Sequence, residues 1–227
     1  MTRFLLASGS PRRRELFTLF GWPFDVISAD VDESAHDSEA PAQMVVRLSQ
    51  AKASKVSSVT TDSIVIAADT TVSLDGVPLG KPRDNADADR MLRALRGRTH
   101  QVYTAITLMN ARRGRMLSDL ATTDVPMRNY RDDEIAAYIA SDDPLDKAGA
   151  YAIQHDGFHP VAELSGCFAN VMGLPLCHLA RSLRAMKVEL QVDVPTVCQA
   201  HLRYACPVFA MILSDHDQRP LRETNDE

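Results

Sequence analysis

The feature that most constrains the fold is the apolar run at residues 63–82, "SIVIAADTTVSLDGVPLGKP". Three β-favouring apolar residues, Ile-Val-Ile, lead into Ala-Ala-Asp, and a second strand pattern then leads to Asp75-Gly76. An Asp-Gly pair between two such patterns is typical of a tight hairpin turn. The run therefore predicts a buried strand with Asp69 directly behind its C-terminal edge. At that edge α/β folds usually place their chemistry.

Strand and helix patterns alternate along the rest of the chain, which indicates an α/β domain. Further strands are predicted over residues 3–7, 24–33 and 148–154, with two or three antiparallel strands over 99–128. Helices are predicted from Pro11 to Gly21, over 40–56, 85–97 and 131–141, and from Pro175 to 186. We expect one domain at residues 1–190 and a C-terminal extension at 191–227. The extension should be helical at first and then end in a charged tail, 215–227, that frays.

Composition narrows the function classes. The chain has 227 residues and a net charge of −5, so a general nucleic-acid binder, which would carry a basic excess, is disfavoured. No apolar run approaches the roughly 18–20 residues that cross a bilayer. The four cysteines are scattered without a CxxC pair, which predicts reduced, mostly buried thiols in a cytoplasmic protein. Cys198, His201 and Cys206 invite a metal-site interpretation, but their spacing fits no familiar site and favours helix packing.

Positive charge gathers in "LASGSPRRRELF", residues 6–17. Ser10 is suited to cap a helix that starts at Pro11. A helix N-terminus offers unpaired N–H groups to an anion, and Ser8, Gly9 and Ser10 add hydroxyl donors and an approachable backbone. Successive helical residues point about 100° apart, so at most two of the three arginines, 12–14, can face one ligand. The alternative is a capped surface helix with solvated arginines.

Other charges stand singly in the sequence. Asp69 is followed by Thr70 and Thr71, and it is either a site residue or a carboxylate that caps a turn. Each of the remaining charges reads alone as a surface residue: Glu33, Lys52, Lys81 and Lys147. In combination, carboxylates could hold a divalent metal and the cations could neutralise phosphates around it. Such a set is suited to phosphoryl chemistry.

Seven segments resemble, in order, the motifs of the Maf family of nucleotide pyrophosphatases: "LASGSPRRRELF", "RLSQAKA", "AADTTV", "LGKP", "GRTHQVYTA", "DKAGAYAIQ" and "NVMGLPL". The resemblance covers about residues 3–186. It implies a Maf/Ham1-like (ITPase-like) α/β fold, in which a long, twisted mixed β-sheet with flanking helices surrounds a deep nucleotide cleft. It also implies a homodimer that hydrolyses a nucleoside triphosphate to the monophosphate and pyrophosphate with Mg²⁺ or Mn²⁺.

The same resemblance implies residue roles, in the branch that takes dTTP and UTP. The family's specificity positions match Arg12, Thr70 and Gln154, and its general base matches Asp69. Its other polar site positions match Ser8, Arg13, Glu33, Lys52 and Lys81. Asp69 would take a proton from the water that attacks the α-phosphorus, or hold a metal-bound water, with Glu33 as its partner on the metal. The Gln154 amide can pair with the carbonyl and N–H edge of uracil or thymine.

Two other functions stay open at this point. The chain continues after "AIQ" with His155-Asp156-Gly157, where the family pattern has glycine, so the substrate is less firmly indicated than the reaction. The 7-methyl-GTP branch of the family is one alternative, which Gln154 disfavours. The other is a non-catalytic nucleotide-binding regulator of cell division, against which the complete set of charged site residues counts. Neither a nucleic-acid polymer nor a membrane is expected as a partner.

Overall fold

The computed structural model describes residues 2–214. Its strands are β1 (Phe4–Leu6), β2 (Phe24–Val26), β3 (Ile64–Leu74), β4 (Val77–Leu79), β5 (Thr99–Asn110) and β6 (Arg115–Pro126). Its α-helices are α1 (Pro11–Thr18), α2 (Pro41–Ser57), α3 (Asn85–Leu95), α4 (Asp132–Ile139), α5 (Phe168–Met172), α6 (Leu176–Ala185), α7 (Val194–Leu202) and α8 (Phe209–Ser214). Two 3₁₀ turns, Asp143–Asp146 and Ala148–Ala150, follow α4.

The strands form one mixed six-stranded sheet in the order β2-β1-β3-β5-β6, with β4 also paired to β3. The β1 strand runs parallel to both β2 and β3, whereas β3, β5 and β6 are antiparallel neighbours. Asp75 and Gly76 both have positive φ angles, 52° and 80°, as a two-residue type I′ hairpin turn requires. The expected mixed α/β fold and the turn between β3 and β4 are thus confirmed.

The central strand β3 is buried on both faces, and its alternation assigns each face to different helices. Val65 and Ala67 pack with Ala53 and Val56 of α2. On the even-numbered face, Ile64, Ile66 and Ala68 pack in the large core with α1, α5 and α6, whereas Val72 and Leu74 pack with α3 and α4. In the first half of β3, a side chain therefore meets α2 or α1 according to whether its number is odd or even.

One predicted strand is too long and another is wrong. Residues 24–33 contain a strand only at Phe24–Val26, and residues 27–39 form an irregular segment. Residues 148–154 contain no strand because Gly149 and Ala150 both adopt left-handed backbone, φ 69° and 59°. The Gly149 N–H donates to the Gly80 carbonyl, and a Cβ at this glycine would stand 3.0 Å from the Val72 side chain. The segment therefore turns against β3.

The two helices of the C-terminal extension pack on the domain. Val194 and Cys198 of α7 belong to the same core as α1 and α6, and Arg181 of α6 donates to the Ile212 carbonyl in α8. The boundary at residue 190 stays a prediction, and the charged tail 215–227 lies outside the described residues. Among the described helices, none is both long and apolar enough to cross a membrane.

Candidate active site

One cleft of about 430 Å³ brings the predicted site positions together. All ten line it: Ser8, Ser10, Arg12, Arg13, Glu33, Lys52, Asp69, Thr70, Lys81 and Gln154. They come from β1 and α1, from the irregular segment after β2, from α2, from β3 and from the turns after β4 and α4. We call Arg13, Lys52, Asp69 and Thr70 the floor of the cleft, and Arg12, Lys81 and Gln154 its rim.

The floor of the cleft lies where β3 has a paired strand on only one side. On one side of β3, the pairing with β1 stops at Ile66 and the pairing with β4 covers only Val72 to Leu74, so residues 67–71 pair only with β5 on the other side. Asp69 lies in this gap, in the middle of a continuous strand rather than behind it, which corrects the prediction from the sequence. The prediction failed because the strand continues through Asp69 in pairing with β5. Asp69 still follows the part of β3 that is parallel to β1.

Lys52 reaches Asp69 because both lie on the α2 face of the sheet. The buried positions of α2 recur every three or four residues, and Lys52 stands within this stripe beside Ala53. Its ammonium group lies 2.5 Å from Oδ1 of Asp69 and 2.6 Å from Oε1 of Glu33. Lys52 and Asp69 are each 7% exposed, whereas the Glu33 side chain is 58% exposed. One buried cation thus bridges a buried and an open carboxylate.

The pKa values of the two carboxylates are shifted in opposite directions. Burial raises the pKa of Asp69 above its ordinary value, although Lys52 and Arg13 pull it down. Burial also acts to raise the pKa of Glu33, but the hydrogen bond and charge of Lys52, with the charges of Lys81 and Arg13, outweigh it and lower the pKa. Asp69 therefore accepts a proton more readily than an ordinary aspartate, and Glu33 stays ionised to lower pH.

On the other face of β3, Arg13 joins three parts of the chain. Its guanidinium donates to Oγ1 of Thr70 at 3.0 Å, to Oγ of Ser8 at 3.2 Å and to the Gly173 carbonyl at 2.9 Å. Burial lowers the pKa of Arg13, and the charge of Asp69 opposes this effect. Arg13 therefore presents a fixed positive charge, because most of its donors are already engaged.

The start of α1 agrees with the prediction from its sequence. Oγ of Ser10 accepts the N–H of Arg13, and Pro11 begins the helix. Arg12 and Arg13 line the cleft, whereas Arg14 is exposed and does not line it. Only two of the three arginines line the cleft, as the helix geometry predicts, and their contact with a ligand stays a prediction.

The rim side chains differ from those of the floor in having no hydrogen-bond or ion-pair partner among the residues that the structure describes. The side chains of Arg12, Lys81 and Gln154 make no hydrogen bond or ion pair with residues 2–214. Lys81 and Gln154 are exposed, and Arg12 is half-buried. These two cations and one amide are therefore available to a ligand without the loss of an existing contact.

Lys147 and Tyr151 also line the cleft, although neither is among the ten predicted site positions. The Lys147 ammonium lies inside, 7% exposed, and is held by Asp143 at 2.9 Å and Asp146 at 2.6 Å. Tyr151 is buried and shares a 2.8 Å hydrogen bond with Nε2 of His100, whose pKa burial lowers to about 4. The sequence drew attention to Lys147 as a lone charge in "DKAGAY", but it gave no sign of the buried His100.

Two carboxylates are a donor set that fits a hard divalent cation. Within residues 2–214 no group of three or more His, Cys, Asp or Glu side chains could hold a metal ion by itself. Mg²⁺, however, is commonly bound by one or two carboxylates together with substrate phosphates and water. Asp69 and Glu33 face one point, now taken by the Lys52 ammonium, so a cation would have to share or displace that charge.

Comparison with known proteins places the chain in a family. Residues 3–186 match the sequence model of the family described as Maf-like protein. The chain belongs to this Maf-like family. It is 44% identical to a dTTP/UTP pyrophosphatase of Geotalea uraniireducens over 182 residues, which is 80% of this chain and 94% of the relative. It is also 44% identical to a dTTP/UTP pyrophosphatase of Moorella thermoacetica over 190 residues, 84% of this chain and 98% of the relative.

Among solved structures, the Ham1 protein of Staphylococcus aureus matches with a TM-score of 0.45 at 16% identity. The match covers 72% of this chain and 81% of the Ham1 chain. The Maf-like match ends at residue 186. Helices α7 and α8 of this chain therefore lie beyond the part that the family describes.

Proposed function

We propose that this protein hydrolyses dTTP and UTP to the nucleoside monophosphate and pyrophosphate. The observation that carries the proposal is the buried Asp69, bonded to Lys52 beside Glu33, in a cleft whose rim carries unpaired cations. The choice of nucleotide is supported by the relatives, which are named dTTP/UTP pyrophosphatases at 44% identity over at least 80% of this chain. The homodimer and the cytoplasmic location that the family resemblance implies stay predictions.

Asp69 is suited to act as the general base. Cleavage between the α- and β-phosphates requires a water aligned with the α-phosphorus and a group that takes its proton. A base works best when its pKa lies near the working pH, and burial shifts the pKa of Asp69 in that direction. The neighbouring Lys52 ammonium stabilises the ionised form and keeps Asp69 in place.

The cations would neutralise the triphosphate in two ways. Arg13 and Lys52 are already fixed by hydrogen bonds, so they need no rearrangement when charge builds up on the leaving pyrophosphate. Arg12 and Lys81 are unpaired and would bind phosphate oxygens directly. In phosphoryl transfer such positioning and charge stabilisation supply most of the rate enhancement.

Glu33 and Asp69 would hold a divalent cation, Mg²⁺ or Mn²⁺, together with the phosphates. When bound, the metal would add charge neutralisation on the phosphate oxygens and would lower the pKa of a coordinated water. Because the Lys52 ammonium lies between the two carboxylates, a bound cation would have to share them with that ammonium group.

Gln154 and Thr70 would set the choice of base. The Gln154 side chain is exposed and unpaired at the rim, and its amide can both donate to a carbonyl and accept from the N–H of uracil or thymine. Thr70 is held by Arg13 and by Thr104 at 3.0 Å each, so its position is fixed.

The test is pyrophosphate release from dTTP, UTP, CTP, GTP, ATP and 7-methyl-GTP, with Mg²⁺ or Mn²⁺, by the wild type and by Asp69→Asn. We expect activity on dTTP and UTP, and a loss of about 10²–10⁴-fold in kcat for the variant with nucleotide binding retained. Activity confined to 7-methyl-GTP would assign the chain to the other branch. Binding without turnover in the folded wild type would support a non-catalytic regulator.

A further inference from the structure

The four cysteines of the chain, scattered in sequence, meet in one place. Cys167, Cys177, Cys198 and Cys206 all line a single small cavity of about 10 Å³, and none is disulfide-bonded. Cys167 directly precedes α5, and Cys206 lies in the segment between α7 and α8. The cavity therefore lies at the junction between the Maf-like domain and its extension, and it shares no lining residue with the nucleotide cleft.

Hydrogen bonds hold the chain in place next to Cys167 and at Cys206. The Tyr204 hydroxyl donates to the Leu164 carbonyl at 2.8 Å and to the Gly166 carbonyl at 3.0 Å, directly before Cys167. The backbone N–H of Cys206 donates to Oε1 of Gln199 at 3.0 Å. These contacts place the segment that carries Cys206 beside the one that carries Cys167, and both cysteines line the same cavity, although 38 residues separate them in the sequence.

The environments of the four thiols are unequal. Burial raises the pKa of Cys177 to about 12 and that of Cys198 to about 11, so both stay protonated and unreactive. Cys206 is partly exposed, and a hydrogen bond from the Cys167 thiol, with two backbone N–H groups that follow Cys206, lowers its pKa. The pKa of the buried Cys167 is correspondingly raised, first by its interaction with Cys206 and then by burial.

We propose that Cys167 and Cys206 form an oxidisable dithiol that closes to a disulfide with hydrogen peroxide and so ties the extension to the domain. This proposal does not depend on the proposed pyrophosphatase activity. Within residues 2–214 no group of three or more potential ligands is placed to hold a metal ion, so the cluster is assigned to thiol chemistry instead.

The reaction is a two-electron oxidation in two steps. The Cys206 thiolate attacks one peroxide oxygen, the O–O bond breaks, and the departing hydroxide takes a proton to become water, which leaves Cys206 as a sulfenic acid. The Cys167 sulfur then attacks the Cys206 sulfur, and the S–O bond breaks. The hydroxide leaves as water with the proton from Cys167. In total two thiols and one peroxide give one disulfide and two waters.

The experiment uses the full chain, reduced and then treated with hydrogen peroxide. Free thiols are counted, and the cross-linked peptides are identified by mass spectrometry without reduction. We expect the wild type to lose two of its four thiols, to yield a Cys167–Cys206 peptide and to recover fully with dithiothreitol. Closing this loop should also raise the Tm by about 5 °C, because it restricts the unfolded chain.

Three variants test which of the four thiols take part in the reaction. Cys167→Ser should stop at a sulfenic acid on Cys206 that dimedone traps, and Cys206→Ser should lose thiols at least about tenfold more slowly. Cys198→Ser is the matched control in the same cavity and should behave as the wild type. An unchanged thiol count in the wild type, a Cys177–Cys198 link, a link between two chains or stoichiometric bound zinc would overturn the proposal.

Discussion

The floor and the rim of the cleft are built on different principles. On the floor, every charged group is engaged: Lys52 bridges Asp69 and Glu33, and Arg13 is held by three acceptors. On the rim, Arg12, Lys81 and Gln154 have no partners within the described part of the chain. The floor is therefore organised before a ligand arrives, whereas the rim becomes organised by the ligand.

This difference follows from where each group is anchored. The floor residues stand on a buried strand and on helices packed against it, so their side chains cannot leave without exposing buried charge. The rim residues stand on loops and at a helix start, where unpaired side chains are solvated. Substitutions in the floor should therefore affect stability and turnover together, and substitutions in the rim should affect only ligand binding or selectivity.

The largest effect is expected for Lys52→Met on the floor. Without the ammonium group, Asp69 and Glu33 face each other uncompensated, and Asp69 remains buried. Breaking a buried ion pair costs about 3–5 kcal/mol in the free energy of unfolding. We also expect kcat for dTTP to fall by about 10²-fold or more, since a fixed cation is lost from the phosphate site.

The matched control is Lys55→Met, one turn further along α2. The Lys55 side chain is exposed and contacts the carbonyl of Asp30 rather than a carboxylate. Urea unfolding and pyrophosphate release should both stay near the wild-type values for this variant. Equal destabilisation by the two substitutions would show that the floor is no more organised than the surface.

The next effect concerns the rim and compares two arginines of α1, Arg12, which lines the cleft, and Arg14, which does not. Arg12→Ala removes an unpaired guanidinium from the cleft, and Arg14→Ala removes an exposed one that does not line it. A hydrogen bond to a charged group is worth about 1.5–3 kcal/mol, so kcat/KM for dTTP should fall by about 10–100-fold for Arg12→Ala. Steady-state kinetics should show no change for Arg14→Ala, and both variants should keep the wild-type Tm.

The sequence predicted much of this arrangement because the relevant signals are local. The Ser10-Pro11 start of α1, the Asp75-Gly76 turn and the limit of two inward-facing arginines each depend on a few adjacent residues. Family resemblance then collected nine positions that the structure brings into one cleft with Ser10. Their catalytic and binding roles stay predictions.

What the sequence did not predict depends on contacts across the fold. Asp69 lies inside β3 because β5 pairs along the whole strand, which no property of residues 63–74 reveals. Residues 148–150 turn rather than extend because Gly149 packs on Val72, far away in sequence. The cysteines looked scattered because their meeting point depends on how α7 packs against α6.

Gln154→Leu tests whether the rim selects the base. The substitution keeps the approximate size of the side chain but removes the amide, which would leave polar groups of uracil or thymine unpaired. We expect kcat/KM for dTTP and UTP to fall about tenfold while the value for CTP changes less. The preference for dTTP and UTP over CTP should therefore decrease. A parallel loss for every nucleotide would mean that Gln154 acts on the phosphates or on the shape of the loop instead.

The smallest expected effect concerns the stability of the floor. Because the pKa of Asp69 is raised in the folded protein, the folded state binds this proton more readily than the unfolded chain. Between the ordinary pKa of 3.8 and the raised folded value, Asp69 makes the free energy of unfolding fall as the pH rises. Above that window the buried, ionised carboxylate destabilises the folded state at a constant cost. Asp69→Asn removes that cost, and Lys52 keeps Glu33 as a partner.

The Tm of Asp69→Asn at pH 7 should therefore equal or exceed the wild-type value by a few degrees at most, and the difference should shrink as the pH falls through the raised pKa. Glu33→Gln should change the Tm at pH 7 in the opposite direction. Its lowered folded pKa means that the contribution of Glu33 is present above pH 4.5 and lost as pH falls through the folded value. A lower Tm for Asp69→Asn than for Glu33→Gln at pH 7 would mean that the attraction of Lys52 outweighs the burial of Asp69, and that the floor is a stabilising ion pair rather than a base held ready for a proton.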